Sequence, residues 1–283
     1  MTSEVSSGAP ELLGARRVRE LLDARGIRLR KGLGQNFVID PNTIRKMVHI
    51  AEVEGARVVE IGAGAGSLTA ALCATAQHVT AVEIDERLAP VLEEVLSGAT
   101  NVDIVYADAL ELDLSAVEAQ RVVANLPYNI AATLVLRILE DAPVIDRITV
   151  MVQKEVGERL AAVARSAAYG TTSALVAYWA VARVSSRVSR NAFFPVPNVD
   201  SVIVTIERRP DRLSDVSREA YYEVVKTAFS QRRKTLRNVL ARLASSRSIE
   251  EVLAEAGIPA MARAEEIDRD GFAAIVRALA SSS

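Results

Sequence analysis

Residues 125 to 128, Asn-Leu-Pro-Tyr, combine groups that can handle the amine of a nucleobase. The lone pair of such an amine is delocalised into the ring, so alkylation requires the nitrogen to be held in a geometry that frees the pair. Two acceptors suit this purpose, the Asn125 side-chain oxygen and the Leu126 carbonyl, because Pro127 restricts the backbone beside them. Tyr128 offers a flat face for an extruded base. The segment therefore indicates alkylation of an exocyclic amine.

A glycine-rich turn precedes this segment and predicts a nucleoside cofactor. Gly62, Gly64 and Gly66 stand between a β-rich run and a helical run, where glycine lets the backbone approach a ligand and the helix start offers free N–H groups. Glu83 ends the next β-rich run, from which a carboxylate can accept hydrogen bonds from ribose hydroxyls. Nicotinamide enzymes and S-adenosylmethionine enzymes share both features, so these residues leave the cofactor open between the two.

Asp108 follows the third β-rich run and would come within reach of the amine of a bound adenine. Taken alone, a solvated turn explains Asp108 better, and a strand-ending turn around a core tyrosine would explain residues 125 to 128. The order of the glycine turn, Glu83, Asp108 and Asn125 favours the functional interpretation of all of them.

The elements that must position these residues form an α/β pattern. Short β-rich runs alternate with amphipathic helical runs from residue 57 onward, which predicts a parallel sheet wrapped by helices. The predicted strands are residues 57–61, 78–84, 102–107, 121–125 and 147–153, and the predicted helices are 40–53, 67–75, 85–96 and 130–140. Two more strands flank a proline-rich loop between residues 183 and 209. Beyond it the pattern is helical, over residues 221–230, 231–243, 249–256 and 271–280.

Charge is strongly segregated along the chain, although the formal net charge is only −2. Residues 47–120 carry 2 basic and 13 acidic side chains, whereas residues 207–247 carry 11 basic and 5 acidic ones. Solvated helix faces explain this pattern about as well as a surface for a polyanion does. Within the basic part, a predicted helix carries an apolar stripe, and Arg233, Lys234 and Arg237 lie off this stripe. Together with Arg232, these cations could hold phosphates.

Cysteine and histidine content excludes two other classes of site. A single cysteine, Cys73, excludes an intramolecular disulfide, and His49 and His78 provide no cluster with metal-ligand spacing. The amino terminus lacks the order of a secretory signal, and no apolar run is a convincing membrane span. These features predict an intracellular, cytoplasmic protein without a metal.

Several strings in a fixed order resemble one enzyme family, the small-subunit (16S) rRNA adenine-N6 dimethyltransferases, also called kasugamycin-resistance dimethyltransferases. The resemblance runs from about Arg28 onward and rests on KGLGQNFVID, EIGAGAGSLT, VEID, ADAL, NLPYNI, MVQKEVGERL, FFPVPNVDS and FSQRRKTLRN. It implies a Rossmann-like S-adenosylmethionine-dependent methyltransferase sheet followed by a small C-terminal all-helical domain.

The resemblance also implies roles for individual residues. The positions that match the family's S-adenosylmethionine site are Asn36, Val38, Gly62, Gly64, Glu83, Asp108 and Asn125. Asn125 to Tyr128 match its target-amine motif, and Phe193 matches the aromatic residue that closes the other face of the flipped adenine, although Phe194 could compete for that role. Alanine at position 63 and valine at 38 replace the family's usual proline and leucine, which puts fine cofactor affinity in doubt rather than the reaction.

The expected organisation is a leader and helix over residues 1–27, the methyltransferase domain over 28–209 and a helical RNA-binding domain over 210–283. By resemblance, the substrate is a pair of adjacent adenosines in the 3′-terminal hairpin of 16S rRNA, within the assembling 30S subunit, and the protein is a monomer. Three alternatives stay open: a 23S rRNA adenine methyltransferase that confers macrolide resistance, an assembly factor whose binding matters more than its chemistry, and an NAD-dependent oxidoreductase.

Overall fold

A computed structural model describes residues 12–30, 34–127, 129–244 and 247–281. Their contacts divide the chain into two units, the first comprising residues 1–157 with 184–207 and the second residues 158–183 with 208–283. The chain thus leaves the first unit after residue 157, returns at 184 and leaves again after 207. The sequence analysis expected an uninterrupted sheet domain over 28–209, and residues 158–183 depart from that expectation.

The first unit is built on a seven-stranded sheet with the order β4-β3-β2-β5-β6-β9-β7. The bounds are β2 Arg57–Ile61, β3 His78–Glu83, β4 Val102–Tyr106, β5 Arg121–Asn125, β6 Arg147–Gln153, β7 Ala180–Val188 and β9 Ser201–Arg208. Strands β2 to β6 pair in parallel, and β9 runs antiparallel to β6. The predicted parallel sheet is confirmed for these five strands, and their carboxyl ends share one edge.

Helices of the first unit bury apolar faces against the sheet. Their bounds are α1 Ala15–Asp23, α2 Pro41–Ala51, α3 Ser67–Cys73, α4 Ala89–Val95 and α5 Ala131–Asp141. Asp40 caps α2, because its carboxylate accepts hydrogen bonds from the backbone N–H groups of Asn42 and Thr43. α1 belongs to this unit, since Val18, Leu21 and Leu22 are buried in its core. Residues 1–11 of the predicted leader lie outside the described residues.

A second, two-stranded sheet joins segments distant in sequence. β1 (Phe37–Val38) pairs antiparallel with β8 (Phe193–Phe194), so that Phe37 lies opposite Phe194 and Val38 opposite Phe193. The sequence pattern predicted an irregular loop at residues 193 and 194, and this pairing was not predicted. The pair brings the amino-terminal loop and the proline-rich loop together at the carboxyl edge of the main sheet.

Helix α6 (Lys154–Leu160) leads from β6 into the second unit, which is helical. The remaining helices are α7 Thr171–Trp179, α8 Arg218–Phe229, α9 Leu236–Leu240, α10 Ile249–Glu255 and α11 Arg269–Ala280. Aromatic rings form its core, with Tyr178 and Tyr221 at a centroid separation of 4.9 Å and Tyr221 against Phe272. Among the described residues, no helix is long and apolar enough to cross a membrane.

The prediction of a helix over residues 231–243 was wrong for its first turn. Residues 231–234 form a turn, and the helix starts only at Leu236. The backbone N–H of Leu236 donates to the Ala262 carbonyl and that of Arg237 to the Ala260 carbonyl. Tertiary bonds therefore satisfy the N–H groups that a continuous helix would have used.

Candidate active site

A cavity of about 110 Å³ opens at the carboxyl edge of the parallel strands in the first unit. From β2 the chain adds β3 and β4 on one side of the sheet and then β5 and β6 on the other, so the strand order reverses at β2. Crevices at such a switch point are the usual ligand sites of open α/β sheets. Nine residues singled out by the sequence line this cavity: Asn36, Gly62, Gly64, Glu83, Asp108, Asn125, Leu126, Pro127 and Phe193. Segments far apart in the chain thus converge on one space.

The glycine turn and Glu83 form one connected wall of the cavity. Gly62 and Gly64 have φ of 83° and 57°, in the left-handed region that favours glycine. The Gly64 N–H donates to Glu83 Oε2 at 2.8 Å, and the Asp85 N–H donates to Oε1 at 2.9 Å. A carboxylate offers about four lone-pair sites, so each Glu83 oxygen keeps capacity for one more donor, such as a hydroxyl of a vicinal diol.

Burial changes the pKa of the Glu83 carboxyl group in this wall. Glu83 is only 5% exposed, and desolvation raises its pKa above the usual range, although the backbone N–H groups of Asp85, Gly64 and Ile84 oppose the shift. The negative charge of Glu83 is therefore held in a site of low polarity, where each hydrogen bond from a ligand is worth more than in water.

Asp108 lies just beyond β4 on the rim of the cavity. Its Oδ1 accepts a hydrogen bond from the Leu110 N–H at 2.8 Å, which fixes the carboxylate in a local turn. No described residue donates to Oδ2, so that oxygen can accept from a ligand amine. Ile84 also lines the cavity while 49% exposed, an unusual exposure for a large apolar residue. Ile84 was not predicted as a site residue, although its place beside Glu83 was a usable signal.

Asn125 is the last residue of β5, and its side-chain amide has a defined orientation. Its Nδ2 donates to the Asn36 carbonyl at 2.8 Å. Since an amide nitrogen can only donate, this contact fixes which end is oxygen, and no described residue donates to Oδ1. The Leu126 N–H donates to the Met151 carbonyl at 3.0 Å, whereas the Leu126 carbonyl likewise has no described donor. Two acceptors with spare capacity thus occur in consecutive residues.

Pro127 packs against the amino-terminal loop. A Cβ added to Gly34, whose φ is 62°, would lie 3.0 Å from the Pro127 Cβ, so glycine permits this close approach. A Cβ on Gly64 would lie 2.8 Å from the Phe37 ring. The loop around Asn36 is therefore fitted between the glycine turn and the segment that begins at Asn125.

Phe193 and Phe194, two of the three aromatic residues considered for stacking on the base, lie within the described residues. Phe193 is 2% exposed and borders the cavity from β8. Phe194 is half-buried, and the Arg19 guanidinium lies 5.0 Å from the centroid of its ring. Tyr128 lies outside the described residues. Of the two phenylalanines, only Phe193 is placed beside Asn125 in the cavity.

Val38 does not line the main cavity. It is buried and borders a smaller adjoining space with Glu60, Gly62, Gly64 and Asn125. Glu60 is fully buried on β2, and neither of its carboxyl oxygens has a hydrogen-bond partner among the described residues. The sequence pattern did not distinguish Glu60, because a glutamate within an apolar run resembles the many other acidic residues of the chain.

The basic residues predicted to hold phosphates lie in the second unit and divide into two pairs. Arg232 forms an ion pair with Glu265 at 3.2 Å, and Arg237 forms one with Glu250 at 3.7 Å. The side chains of Arg233 and Lys234 are exposed and have no ion-pair partner within the described ranges. The last two are therefore the cations available to an external anion.

The main cavity fits S-adenosylmethionine. The left-handed glycine turn permits close approach of a ligand to the backbone, and the buried Glu83 carboxylate suits a ribose diol. Asp108 Oδ2 suits an adenine amine, and the two carboxylates complement a cationic sulfonium. Within the described part of the chain, no group of three or more His, Cys, Asp or Glu side chains is placed to hold a metal ion.

Comparison with known proteins gives consistent results. Residues 26–281 match the family model described as "Ribosomal RNA adenine dimethylase". The chain is 44% identical to "Ribosomal RNA small subunit methyltransferase A" of Thermobifida fusca, over 96% of this chain and 98% of that protein. It is 39% identical to the protein of that name from a Geobacillus species, over 93% and 96% of the two chains.

Solved structures agree with this assignment. The crystal structure of the 23S rRNA methyltransferase ErmE is 30% identical, with a TM-score of 0.69 over 87% of this chain and all of that one. A dimethyladenosine transferase from Plasmodium falciparum has a TM-score of 0.72 at 22% identity, over 83% of this chain and 94% of that one, which shows the shared fold. The protein is a methyltransferase that uses S-adenosylmethionine, and the chain belongs to the ribosomal RNA adenine dimethylase family.

Proposed function

We propose that this protein transfers two methyl groups to N6 of each of two adjacent adenosines in the 3′-terminal hairpin of 16S rRNA. One observation carries the proposal. The donor contact from Asn125 to the Asn36 carbonyl leaves Asn125 Oδ1 and the Leu126 carbonyl as neighbouring acceptors at the cavity. An exocyclic amine presents two N–H groups, and two acceptors hold it with its lone pair directed away from the ring plane.

The residues of the cavity have separate roles in this proposal. Bound S-adenosylmethionine supplies an electrophilic methyl group on a sulfonium. Glu83 accepts hydrogen bonds from the ribose hydroxyls, Asp108 accepts from the adenine amine of the donor, and Gly62 and Gly64 let the backbone pass close to it. Asn36 borders the main cavity from the amino-terminal loop, and Val38 of the same loop borders the smaller adjoining space. These groups bind and orient, and alignment of the reacting atoms provides most of the rate enhancement.

The target adenine is held on its faces as well as its edge. Phe193 borders one side of the cavity, and the family resemblance assigns the second stacking face to Tyr128, so the base must leave the RNA helix to enter. Pro127 keeps the Leu126 carbonyl directed toward the amine. Asn125, Leu126, Pro127, Tyr128 and Phe193 together form the catalytic pocket.

Phosphate contacts position the RNA, while the pocket selects the base. Arg233 and Lys234 in the second unit have cationic side chains that pair with no acidic group in the described part of the chain, and they hold phosphates directly. Arg232 and Arg237 are already paired with acidic residues, so they contribute to RNA binding chiefly by shaping the turn. RNA binding should weaken steeply with added salt.

The biological partner in this proposal is the assembling 30S subunit, on which the protein acts as a monomer in the cytoplasm. The small-subunit names of relatives such as that from Thermobifida fusca support this choice over the large subunit. An assembly role would add to the chemistry, because a tightly bound methyltransferase also marks an immature particle.

The test is methyl transfer from tritiated S-adenosylmethionine to two substrates, unmethylated small subunits isolated from a deletion strain and protein-free 23S rRNA. We expect incorporation into the small subunit alone, with mass spectrometry locating dimethyladenosine at two adjacent positions near the 3′ end. Methylation of 23S rRNA in its place would make the protein a functional counterpart of ErmE. Complementation of subunit maturation by an inactive Asn125→Ala variant would make binding the main role.

A further inference from the structure

A chain of hydrogen bonds connects the cofactor wall to the amine acceptor. It starts at Glu83, whose Oε1 accepts from the Asp85 N–H, and continues through the Asp85 carboxylate, whose Oδ2 accepts from Gln35 Nε2 at 2.8 Å. The residue after Gln35 is Asn36, whose carbonyl accepts from Asn125 Nδ2 at 2.8 Å. Every member belongs to the first unit.

Asp85 is a rigid anchor for this chain. It is 3% exposed, and its Oδ1 accepts from Arg87 Nε at 2.7 Å. Arg87 Nη1 also donates to the Arg28 carbonyl at 3.3 Å. Charge-assisted bonds of this kind are about twice as strong as neutral ones, so a buried aspartate holding several of them has little freedom to move.

Gln35 is clamped at both ends of its amide. Nε2 donates to Asp85, and Oε1 accepts from the Arg30 N–H at 2.8 Å. The Gln35 side chain therefore fixes its own backbone and, through the next peptide, the position of the Asn36 carbonyl. That carbonyl is the group that decides which end of the Asn125 amide faces the cavity.

We infer that Gln35 and Asp85 are positioning residues, which hold the Asn36 carbonyl against the Asn125 amide and so keep Asn125 Oδ1 directed at the target amine. This inference rests on the proposed function of Asn125. Without the clamp, Asn125 can rotate or flip, and the fraction of molecules with two correctly placed acceptors falls. The lost contact is charge-assisted, and its energy corresponds to a fall in kcat of at least about 10-fold.

The experiment compares Gln35→Leu with Gln120→Leu in the full-length protein. Gln120 also uses its side-chain oxygen to accept a backbone N–H, that of Arg57 at 3.1 Å, but at the opposite end of the sheet. We expect Gln35→Leu to lower kcat on unmethylated small subunits at least about 10-fold, with a change of less than about 3-fold in the Kd for S-adenosylmethionine. Gln120→Leu should leave both unchanged. An unchanged kcat for Gln35→Leu, or an equal loss in the control, overturns the inference.

A second arm distinguishes positioning from general stability. Asn125→Asp lacks the Nδ2 donor, so the clamp has no amide left to orient. Adding Gln35→Leu to Asn125→Asp should lower kcat by less than about 2-fold, whereas a merely structural Gln35 would cost the same factor in both backgrounds.

A third arm uses no turnover and separates this inference from the proposed substrate. In the protein without RNA, the Asn125 side-chain amide should give a resolved NMR signal that Gln35→Leu shifts and broadens and Gln120→Leu leaves in place. If wild-type protein methylates neither substrate, the proposed function fails, and the amide signal alone decides whether Gln35 orients Asn125. A signal unaffected by Gln35→Leu overturns the inference whatever the activity.

Discussion

Glu60 should make the free energy of unfolding of the first unit depend on pH, and replacing Glu60 should remove its contribution to this dependence. Its carboxyl group is fully buried on β2, and burial raises its pKa to about 8 from the ordinary 4.5, with a smaller contribution from the charge of Glu83. The Thr69 hydroxyl is close enough to oppose this shift in part, but it is not in the geometry of a formed hydrogen bond. Glu60 is therefore protonated in the folded protein near neutral pH.

The magnitude follows from proton linkage. Between pH 4.5 and 8 the folded state keeps a proton that the unfolded chain releases, so the free energy of unfolding falls as pH rises. The slope is about 1.4 kcal/mol per pH unit, and the whole interval amounts to roughly 5 kcal/mol. Glu60→Gln has no proton to release. The free energy of unfolding of Glu60→Gln, measured relative to that of wild type, should therefore rise with pH by that slope and level off above about pH 8.

Urea unfolding of both proteins from pH 5 to 9, without cofactor, measures this difference. The single tryptophan, Trp179, lies in the second unit, so unfolding is better followed by far-ultraviolet circular dichroism and by amide hydrogen exchange in β2. Glu60→Leu serves as the control, because its packing cost shifts the curve up or down while its slope relative to wild type must match that of Glu60→Gln. A difference that is constant over this range would show that Glu60 is ionised in the folded state and would refute the reasoning.

Three further predictions concern catalysis, RNA binding and packing. Asn125→Ala should abolish methyl transfer while cofactor affinity in a calorimetric titration changes by less than about 10-fold; an equal loss of both would contradict its role as the amine acceptor. Replacing Arg233 and Lys234 together by Ala should weaken binding to small subunits and reduce the salt slope by about 2, and an unchanged slope would exclude phosphate contacts there. Gly157→Ala would place a Cβ 2.2 Å from a methyl of Val202, and should destabilise the first unit by about 1–3 kcal/mol in urea unfolding, with normal stability counting against this packing.

The parts of the fold that follow local periodicity could be predicted from the sequence. Strands β2 to β6 alternate with helices at regular spacing, and the central strands β2, β5 and β6 bury nearly continuous runs of mostly apolar residues, as expected where both faces of a parallel sheet are covered. Because parallel strands end at one edge, the order of Gly62, Glu83, Asp108 and Asn125 was sufficient to predict that these residues converge. Gly62 and Asp108 follow strands β2 and β4, and Glu83 and Asn125 are the last residues of β3 and β5.

Features that depend on long-range contacts could not be predicted in this way. β1 and β8 have two residues each, too few for a periodic signal, and they pair across more than half the chain. The first turn of the predicted helix at residue 231 is lost to hydrogen bonds with residues 260 and 262, which no local pattern reveals. Gln35 and Asp85 stand inside quoted motifs, but only the geometry shows that they contact each other.

The chain enters the second unit twice, at residue 158 and again at residue 208, and this affects the order in which the unit can fold during synthesis. α7 belongs to the second unit, yet its packing partners α8 and α11 are made only after β7, β8 and β9 have emerged. The Tyr178 hydroxyl donates a hydrogen bond to the Val216 carbonyl, and Trp179 Nε1 donates one to the Tyr222 hydroxyl. Each of these partners is synthesised about 40 residues later. A nascent chain cut short at residue 209 would therefore lack the residues of α8 and α11 that pack against α7. Folding of the second unit must wait for these helices, and a fragment designed to end there should aggregate.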